Sequence, residues 1–349
     1  MKGIYLVAVL ACFSVTAKAA PTCTSTGFYR DGYNLTAALI NPVETVSGEV
    51  DASGCNIGVY YDVGQGTVSN ADIHGANYFG VVVDGNTTVV TVNVLQSSIH
   101  DIRDSKSLGA QHGVGIYYAA FDGGSASGQI VGNSVWNYQK GGIVVNGPGT
   151  TVDIQNNIVK GQGRIDYIAQ NGIQAGWGAT AQIMRNTVTE NSYTGPNCAS
   201  SGGIIAVGGP LYGPPNVYTT GTQIVGNTVT NNDVGVYLSN LDWSDVPPYY
   251  APPSTMTNIK VVGNTITNDS LANISGNELS CDDPTSGGGY QAGVSDVGNN
   301  DKIIDNVIAG AGYAASGTVT YQTYTIPVYA IPVDASTTFT NLPKVHATK

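Results

Sequence analysis

Charged residues are scarce in this chain of 349 residues: Asp, Glu, Lys and Arg together make up 11% of it. Basic residues are the rarer kind, with 13 Lys and Arg against 24 Asp and Glu. A surface of this sign repels a phosphate backbone, so the sequence argues against a nucleic acid as partner. After residue 19, no continuous apolar run reaches the roughly 20 residues that a membrane span needs, and we expect no such span.

The N-terminus has the pattern of an export signal. Lys2 precedes an apolar run from Ile4 to Val15, and Ala17-Lys18-Ala19 has the small residues of a cleavage site. We therefore predict a signal peptide over residues 1–19 and secretion of a soluble protein to the periplasm or the extracellular space. The mature chain would keep 11 basic and 24 acidic residues, a net charge of −13.

Cysteines are few, and Cys12 is lost when the signal peptide is cleaved. The four that remain are Cys23, Cys55, Cys198 and Cys281. An even number in an exported chain favours disulfides, and the spacing does not resemble a zinc site. Three pairings are open. We favour Cys23 with Cys55 and Cys198 with Cys281, because each pair lies near its own end of the chain. The first bond would stabilise an N-terminal cap by about 4 kcal/mol.

Glycine is abundant, with 46 residues, and with 21 Tyr it indicates a chain rich in strands and turns. The pattern apolar-x-x-Asn-x-apolar occurs six times, at Asn133, Asn157, Asn186, Asn227, Asn264 and Asn306. Two degenerate copies carry Ser97 and Ala71 in place of Asn. A second pattern, Gly followed by Ile or Val, alternates with the first, at Gly58, Gly80, Gly115, Gly142, Gly172, Gly203, Gly235 and Gly293.

The shortest period, 24 residues from Asn133 to Asn157, is the length of one coil of a β-solenoid. We predict an all-β fold, a right-handed parallel β-helix of about eight coils over residues 58–312. Each Asn would bond to the Asn of the next coil and so satisfy polar groups in a buried corner. Residues 20–57 would form an N-terminal cap and 313–349 a C-terminal β cap and tail, with two edge strands over 318–333.

On these repeats the sequence resembles the pectate-lyase-like superfamily of right-handed parallel β-helix repeat proteins, over roughly residues 55–310. The resemblance implies that the Gly-Ile strand belongs to a first sheet, the Ile before Asn to a second and the Val after Asn to a third. A variable third turn then joins that Val to the next Gly. In relatives that act on carbohydrate, the cleft lies on the outer face of the first sheet, so the implied partner is a polysaccharide or other glycan.

The third-turn loops are unequal, with long ones at residues 100–114, 160–171, 189–202 and 267–292, and long loops usually carry function. Basic and acidic residues gather on this flank, at His74, His100, Asp101, Arg103, Asp104, Lys106, His112, Lys140, Lys160, Arg164 and Asp166. We hypothesise that Arg103, His112, Lys140 and Arg164 line a catalytic site, with His112 or Lys140 as the base. Alternatively these are solvated turn residues, and surface pairs among them contribute under about 1 kcal/mol.

The outward positions of the first-sheet strands carry no charge; they are Val82, Tyr117, Val144, Gln174, Ile205, Tyr237 and Ser295. The acidic ligands of calcium-dependent pectate lyases, the Asp-Pro-His signature of alginate epimerases and the paired Asp of inverting polygalacturonases are all missing. The strip suits a neutral glycan instead. Candidate substrate-binding residues are Tyr117, Gln174, Tyr237 and Trp177, with Trp243 nearby, although Tyr is also common on exposed strands that bind nothing.

Further candidate sites are isolated. Asp282 and Asp283, beside Cys281, are a candidate calcium-binding pair, or else solvated loop acids; the sequence identifies no other cofactor. Sequons for N-glycosylation begin at Asn34, Asn86, Asn268 and Asn273.

The leading functional hypothesis is a secreted monomer that engages an extracellular polysaccharide, with lyase, epimerase or hydrolase activity as the enzymatic options. The alternative is a non-catalytic surface, matrix or adhesion protein, because no recognised catalytic set is present. A walled groove with shifted ionisable groups would favour catalysis, whereas a flat flank would favour adhesion.

Overall fold

The computed structural model describes residues 21–106, 108–195, 199–241, 254–269, 291–296, 298–310 and 312–313, and the backbone of 317–321, 324–328 and 338–340. Within these residues the protein consists of strands and turns, apart from one short 3-10 helix at Pro210–Tyr212. The strands in chain order are β1 (Thr24–Arg30), β2 (Tyr33–Ile40), β3 (Val46–Asp51), β4 (Ile57–Tyr61), β5 (Gly64–His74), β6 (Phe79–Asp84), β7 (Val89–Leu95), β8 (Ser98–His100), β9 (Val114–Ala119), β10 (Ser125–Val131), β11 (Ser134–Trp136), β12 (Gly141–Asn146), β13 (Thr150–Gln155), β14 (Ile158–Ile165), β15 (Asn171–Gly176), β16 (Thr180–Met184), β17 (Thr187–Tyr193), β18 (Gly202–Gly208), β19 (Gln223–Val225), β20 (Thr228–Thr230), β21 (Val234–Asn240), β22 (Lys260–Val262), β23 (Thr265–Thr267), β24 (Ala292–Asp296), β25 (Lys302–Ile304), β26 (Val307–Ala309), β27 (Gly317–Tyr321), β28 (Tyr324–Val328) and β29 (Thr338–Thr340).

Two large sheets contain nearly all of these strands. Sheet A has ten of the described strands, in the order β1-β2-β4-β6-β9-β12-β15-β18-β21-β24, and only the β1–β2 pair is antiparallel. Sheet B has 17 of the described strands, and all of its described pairs are parallel. The predicted all-β fold with an extended parallel sheet is therefore confirmed, and the strand order is compatible with a β-solenoid.

Sheet B consists of two columns of strands on either side of the Asn turn. The first column contains β7, β10, β13, β16, β19, β22 and β25, and the second column contains β8, β11, β14, β17, β20, β23 and β26. From β6 to β26, each repeat gives one strand to sheet A and one to each column, and each of these strands pairs with its equivalents in neighbouring repeats; β5 spans both columns. Ile143, for example, pairs with Ile116 before it and Ile173 after it.

The interior between the sheets is filled by aligned apolar side chains. Inward residues of sheet A such as Ile116, Ile143 and Ile173 are fully buried and share one continuous core with the inward Ile and Val of sheet B. Burial of a side chain of this size contributes about 1.5–3 kcal/mol, which is available only when coils stack, because a single coil leaves this face open.

A column of glycines lies where each coil enters sheet A. A Cβ on Gly172 would lie 2.3 Å from Cγ1 of Val188 and 2.5 Å from the carbonyl oxygen of Gly203. The equivalent Gly142 has the same kind of contact. The Gly-Ile repeat therefore exists because no side chain fits between the core and the backbone of the next coil.

The six repeated Asn residues form a continuous ladder in the turn between the two columns. The Oδ1 atom of Asn157 accepts hydrogen bonds from the backbone N and the Nδ2 of Asn133, at 2.9 and 3.0 Å. Its own Nδ2 donates to the carbonyl of Ile130 and to Oδ1 of Asn186. Equivalent bonds between neighbouring Asn residues continue through Asn227 and Asn264 to Asn306. Buried amides are thus satisfied as the sequence predicts, and Ser97 continues the ladder by donating its backbone N–H to Asn133.

The N-terminal strands cover part of the outer face of sheet A. The predicted Cys23–Cys55 disulfide is formed and ties the start of β1 to the turn before β4. The ring of Phe28 in β1 lies 6.0 Å from Tyr60 and 6.1 Å from Phe79, which both point outward from sheet A. These rings belong to a second apolar cluster outside the main core. β4 and nearly all of β6 are therefore buried on both faces.

The C-terminal strands agree in part with the prediction of two edge strands. β27 and β28 pair antiparallel in a small sheet of their own, while β29 pairs in parallel with β26 and so continues the second column. Among the described residues no helix is long and apolar enough to cross a membrane.

Candidate functional site

The third-turn loops of adjacent coils pair with each other as extended backbone. β14 continues to Ile165 and β17 to Tyr193, beyond the positions that face the core. Within this extension Arg164 pairs with Ser192 in parallel register. The Arg164 side chain, predicted to be part of a site, therefore starts from an ordered strand.

A polar cavity of about 380 Å³ lies on this flank. One cation and two carboxylates line it together with hydroxyl and amide groups, and Lys160 stands beside it with Nζ 3.2 Å from Oε2 of Glu190. A cavity of this size and polarity can hold a sugar ring or a similar polyhydroxylated group. Its lining residues are Gly163, Arg164, Glu190, Ser192, Asn231, Asn268, Asp269 and Gln291.

A second, shorter Asn ladder lies beneath the cavity. Asn191 donates from Nδ2 to Oδ1 of Asn232 at 2.8 Å, and Asn268 donates from Nδ2 to the carbonyl of Asn232 at 2.9 Å. This ladder was not predicted, although the sequence has an Asn two or three residues after the second-column Val or Ile in three successive repeats. Asn268 is 3% exposed, so in the folded chain its sequon is not accessible for glycosylation.

Asp233 joins the end of β17 to the residue that precedes β18. This buried carboxylate accepts hydrogen bonds from the backbone N–H of Tyr193 at 2.8 Å and of Ser201 at 2.9 Å. It thereby holds the last residue of β17 close to the residue before the first residue of β18, Gly202.

His112, one of the two candidate bases, is enclosed. Its ring stacks on Tyr78 at 3.9 Å, and its Nε2 lies 2.8 Å from Oδ2 of Asp104. Its Nδ1 faces Asp31, in the turn of the β1–β2 hairpin, at 3.8 Å. Both ring nitrogens therefore face carboxylates of the protein, and the ring is only 8% exposed.

Lys140, the other candidate base, has a buried amine. Its Nζ donates a hydrogen bond to the carbonyl oxygen of Ala169 at 2.8 Å. Burial lowers the pKa of this amine to about 8, so a larger share of it is neutral at physiological pH than for an exposed Lys. The backbone N–H of Lys140 donates to the carbonyl of Gly113, next to His112, so the two candidate bases stand on neighbouring coils.

Arg103 belongs to a separate group. Burial opposes the ionisation of Asp101, but hydrogen bonds from His100 and Asn137 and the charge of Arg103 together lower the pKa of that carboxyl. Arg164 lies at the cavity and Lys106 is exposed. The described contacts of the four predicted catalytic residues therefore involve different partners, and no described bond joins two of their side chains.

Two of the predicted substrate-binding residues lie in a hydrogen-bonded strip on sheet A. Tyr117 is only 4% exposed; its ring lies 5.0 Å from Phe79, and Arg30 and Asn146 lie close to its hydroxyl. Its ring does not face solvent, because the N-terminal hairpin covers it, and this corrects the expectation that it presents a face to a sugar. Gln174 is also buried and donates to Oδ1 of Asn146 at 3.1 Å.

The other two predicted substrate-binding residues are more accessible. Tyr237 is half-buried in β21, in register with Ile205 and Ser295. Trp177 is half-buried directly after β15, with a positive φ of 49° at the turn.

A stacked column of rings on the outer face of the second column was not predicted. His74, His100 and Trp136 occupy equivalent positions in β5, β8 and β11. The two imidazoles are 5.2 Å apart and His100 lies 4.4 Å from Trp136, both nearly parallel. His100 is held by Asp72 at 2.9 Å and Asp101 at 2.6 Å. An alignment of the repeats would have placed these three residues in one row.

Two carboxyl groups, Asp296 and Asp301, lie together in a turn of the late coils. Oδ1 of Asp301 accepts hydrogen bonds from the Thr257 hydroxyl at 2.6 Å and the backbone N–H of Ile259 at 2.7 Å. Burial, reinforced by the charge of Asp296, raises the pKa of Asp301 to about 7. One proton is therefore retained by this pair near neutral pH.

Several predicted sites lie outside the described residues: Cys198, Cys281, Trp243, Asp282, Asp283 and Asn273. Across the part of the chain that the structure describes, no group of three or more His, Cys, Asp or Glu is placed to hold a metal ion.

Comparisons with known proteins add no assignment: no protein-family model, curated protein or solved structure matches this chain.

Proposed function

We propose that this chain is a secreted right-handed parallel β-helix protein of the pectate-lyase-like type, with about eight coils, that binds an extracellular polysaccharide along its third-turn flank. The signal-like N-terminus supports export, and the alternation of Gly-Ile and Asn repeats supports the fold. The single observation that carries the binding proposal is the polar cavity around Arg164.

The chemistry of this cavity favours a polyhydroxylated ligand of low charge. Arg164 supplies donors in a rigid fork, while Glu190 and Asp269 supply acceptors, which is the mixture that sugar hydroxyls require. With Lys160 beside Glu190, two cations face two carboxylates there, so the cavity has no net positive charge to attract a polyuronate. The proposal is therefore a neutral polysaccharide.

Binding without cleavage is the form of this function that the contacts favour. His112 is enclosed between Asp104 and Asp31, and Lys140 donates to a backbone carbonyl, so neither candidate base faces the cavity residues in any described contact. Lyase, epimerase and hydrolase activities are therefore the second candidates, and a purely structural role in a matrix is the third.

The test is retention of the purified protein on a panel of neutral and acidic polysaccharides, together with assays for new reducing ends and unsaturated uronate. Arg164→Ala should weaken binding to a neutral polysaccharide by roughly tenfold, since hydrogen bonds to a charged group contribute about 1.5–3 kcal/mol. The matched control is Arg185→Ala, because Arg185 is an exposed Arg on the Asn-turn side.

The outcomes separate the candidates. Equal loss in both Arg variants, or no binding by the unaltered protein, would reject the flank site. Unsaturated or reducing products would establish an enzyme and return attention to His112 and Lys140.

A further inference from the structure

The outer face of the second column changes character halfway along the molecule. In the first three residues of β17 and in β20 and β23 the outward positions are all Thr, in the sequences TVT, TVT and TIT. These residues stand in exact parallel register, Thr187 with Thr228 and Thr265, and Thr189 with Thr230 and Thr267. The next strand places Val307 and Ala309 in the same two rows, and the backbone of β29 continues the register at Thr338 and Thr340.

This Thr face (Thr187, Thr189, Thr228, Thr230, Thr265, Thr267, Val307 and Ala309) is accessible and uncharged. The row that begins at Thr187 and ends at Val307 is exposed, and the row that begins at Thr189 and ends at Ala309 is half-buried. The adjoining first column is different, because Lys260 and Lys302 stand in register on its outer side and are exposed. The absence of charge is therefore a property of this face and not of the whole flank.

Parallel pairing makes the Thr face a rigid two-dimensional lattice. Successive coils are about 4.8 Å apart, and outward residues two positions apart on one strand are separated by about 6.6 Å. A β-branched Thr on a strand has few χ1 rotamers, so its methyl and hydroxyl groups stay at these intervals. The Thr230 hydroxyl also donates to the Thr189 hydroxyl at 3.0 Å, which fixes the second row further.

We propose that the Thr face binds the surface of ice. The oxygen atoms on the faces of hexagonal ice repeat in two in-plane directions with spacings in the range of this lattice. Hydroxyl groups can take lattice positions while the methyl groups fill the spaces between them. Charged side chains would order water in other geometries, and this face has none among its eight described positions.

The composition of the face separates ice from the other flat ligands. A crystalline polysaccharide presents sugar faces, which proteins bind with exposed aromatic rings, and the eight positions contain no aromatic residue. A second copy of the chain would be expected to bury large apolar side chains at the contact, and the largest here is Val307, 40% exposed. The inference is independent of the polysaccharide proposal, because the Arg164 cavity and the Thr face consist of different residues.

The experiment measures the growth of ice grains during annealing and the gap between melting and freezing of a single crystal, with the full secreted protein. The unaltered protein should slow grain growth and shape the crystal. Thr228→Lys, at the centre of the face, should abolish both effects. Thr151→Lys is the matched control, since Thr151 is an exposed outward Thr on β13 in the first column, and it should keep both effects.

Each other outcome overturns the proposal. If ice grains grow as fast with the unaltered protein as in buffer alone, the face does not bind ice. The same conclusion follows if the Thr228→Lys and Thr151→Lys proteins slow grain growth equally and both unfold at the same temperature as the unaltered protein. Sedimentation that shows a dimer dissociated by Thr228→Lys would identify the face as a contact between copies. Retention on crystalline cellulose or chitin that Thr228→Lys abolishes, without any effect on ice, would identify a polysaccharide surface. An unchanged Arg164-dependent retention would show that the flank site survives even if the ice proposal fails.

Discussion

The turn that carries the long Asn ladder is nearly identical from coil to coil, whereas the described third turns differ in length and in most of their contacts. The Asn side chains from Asn133 to Asn306 repeat one set of hydrogen bonds. On the third turn, the extended pairing of Arg164 with Ser192 occurs beside the enclosed His112 and the buried Lys140. The Asn ladder repeats because its turn is buried away from water. An amide in that turn can form hydrogen bonds only with groups of the neighbouring coils. The third turn has solvent as an alternative partner, so its residues are free to take on function.

The largest effect is expected from breaking the uniform turn. In Asn227→Ala, the N–H and Nδ2 of Asn186 lose the Oδ1 atom that accepts from both, and Oδ1 of Asn264 loses one of its two donors. Each buried group without a partner costs about 1–3 kcal/mol, so the free energy of unfolding should fall by about 3 kcal/mol or more in urea titrations. Gln129→Ala, on the exposed side of β10, is the control. A loss below about 1 kcal/mol would mean that water or a neighbour replaces the ladder bonds.

The glycine corner should give the next largest effect. Gly172→Ala places a methyl group 2.3 Å from Val188 and 2.5 Å from the backbone of Gly203, and backbone cannot move aside in a stacked coil. Overpacking of this kind costs about 1–3 kcal/mol, measurable as a lower urea midpoint. Stability equal to that of the unaltered protein would show that the corner does not require Gly.

The Asp296–Asp301 pair tests whether a variable turn contributes to stability through its charge. The folded pKa of Asp301, about 7, lies above the ordinary value of 3.8 for an Asp side chain, so between these two pH values the folded state binds a proton that the unfolded chain releases. The contribution of this proton to the free energy of unfolding is complete below about pH 4. It is lost as the pH rises towards 7, with a slope of at most about 1.4 kcal/mol per pH unit. Urea unfolding at several pH values should show this slope for the unaltered protein and a shallower one for Asp301→Asn. Equal slopes in the two proteins would contradict the shared proton.

The smallest effect is expected on the outward positions. His100→Thr converts one site of the His74–His100–Trp136 column into the residue found at Thr189 and Thr230. The partly exposed hydrogen bonds to Asp72 and Asp101 and the ring stacking that it removes together contribute about 1 kcal/mol. The urea midpoint should therefore change much less than in Asn227→Ala. A decrease in the urea midpoint as large as that of Asn227→Ala would show that the ring column stabilises the fold as much as the Asn ladder does.

Repetition explains which features could be predicted. The Asn ladder, the Gly corner and the parallel sheets were readable because each occurs in many coils with the same spacing, as between Asn133 and Asn157. The Cys23–Cys55 bond was readable because few cysteines were available in that end of the chain. The cover over Tyr117 could not be predicted, because the hairpin of β1 and β2 occurs once and no repeated pattern indicates where it packs.

The candidate sites show the same limit. Arg164 was singled out from its loop, but Glu190 and Asp269 joined it only because coils far apart in sequence are stacked. His112 was singled out from its residue type, while its enclosure by Asp104 and Asp31 depends on the fold of the N-terminal hairpin.

The sequence by itself therefore determined the period, the inward residues, the Asn ladder and the strand-rich class, because these depend on interactions between identical positions of neighbouring repeats. Only the tertiary structure decided which outward side chains share a surface. Stacking brings residues from different coils to within about 5 Å, so the polar cavity at Arg164, the ring column at His100 and the Thr face at Thr228 exist only once the coils are in register.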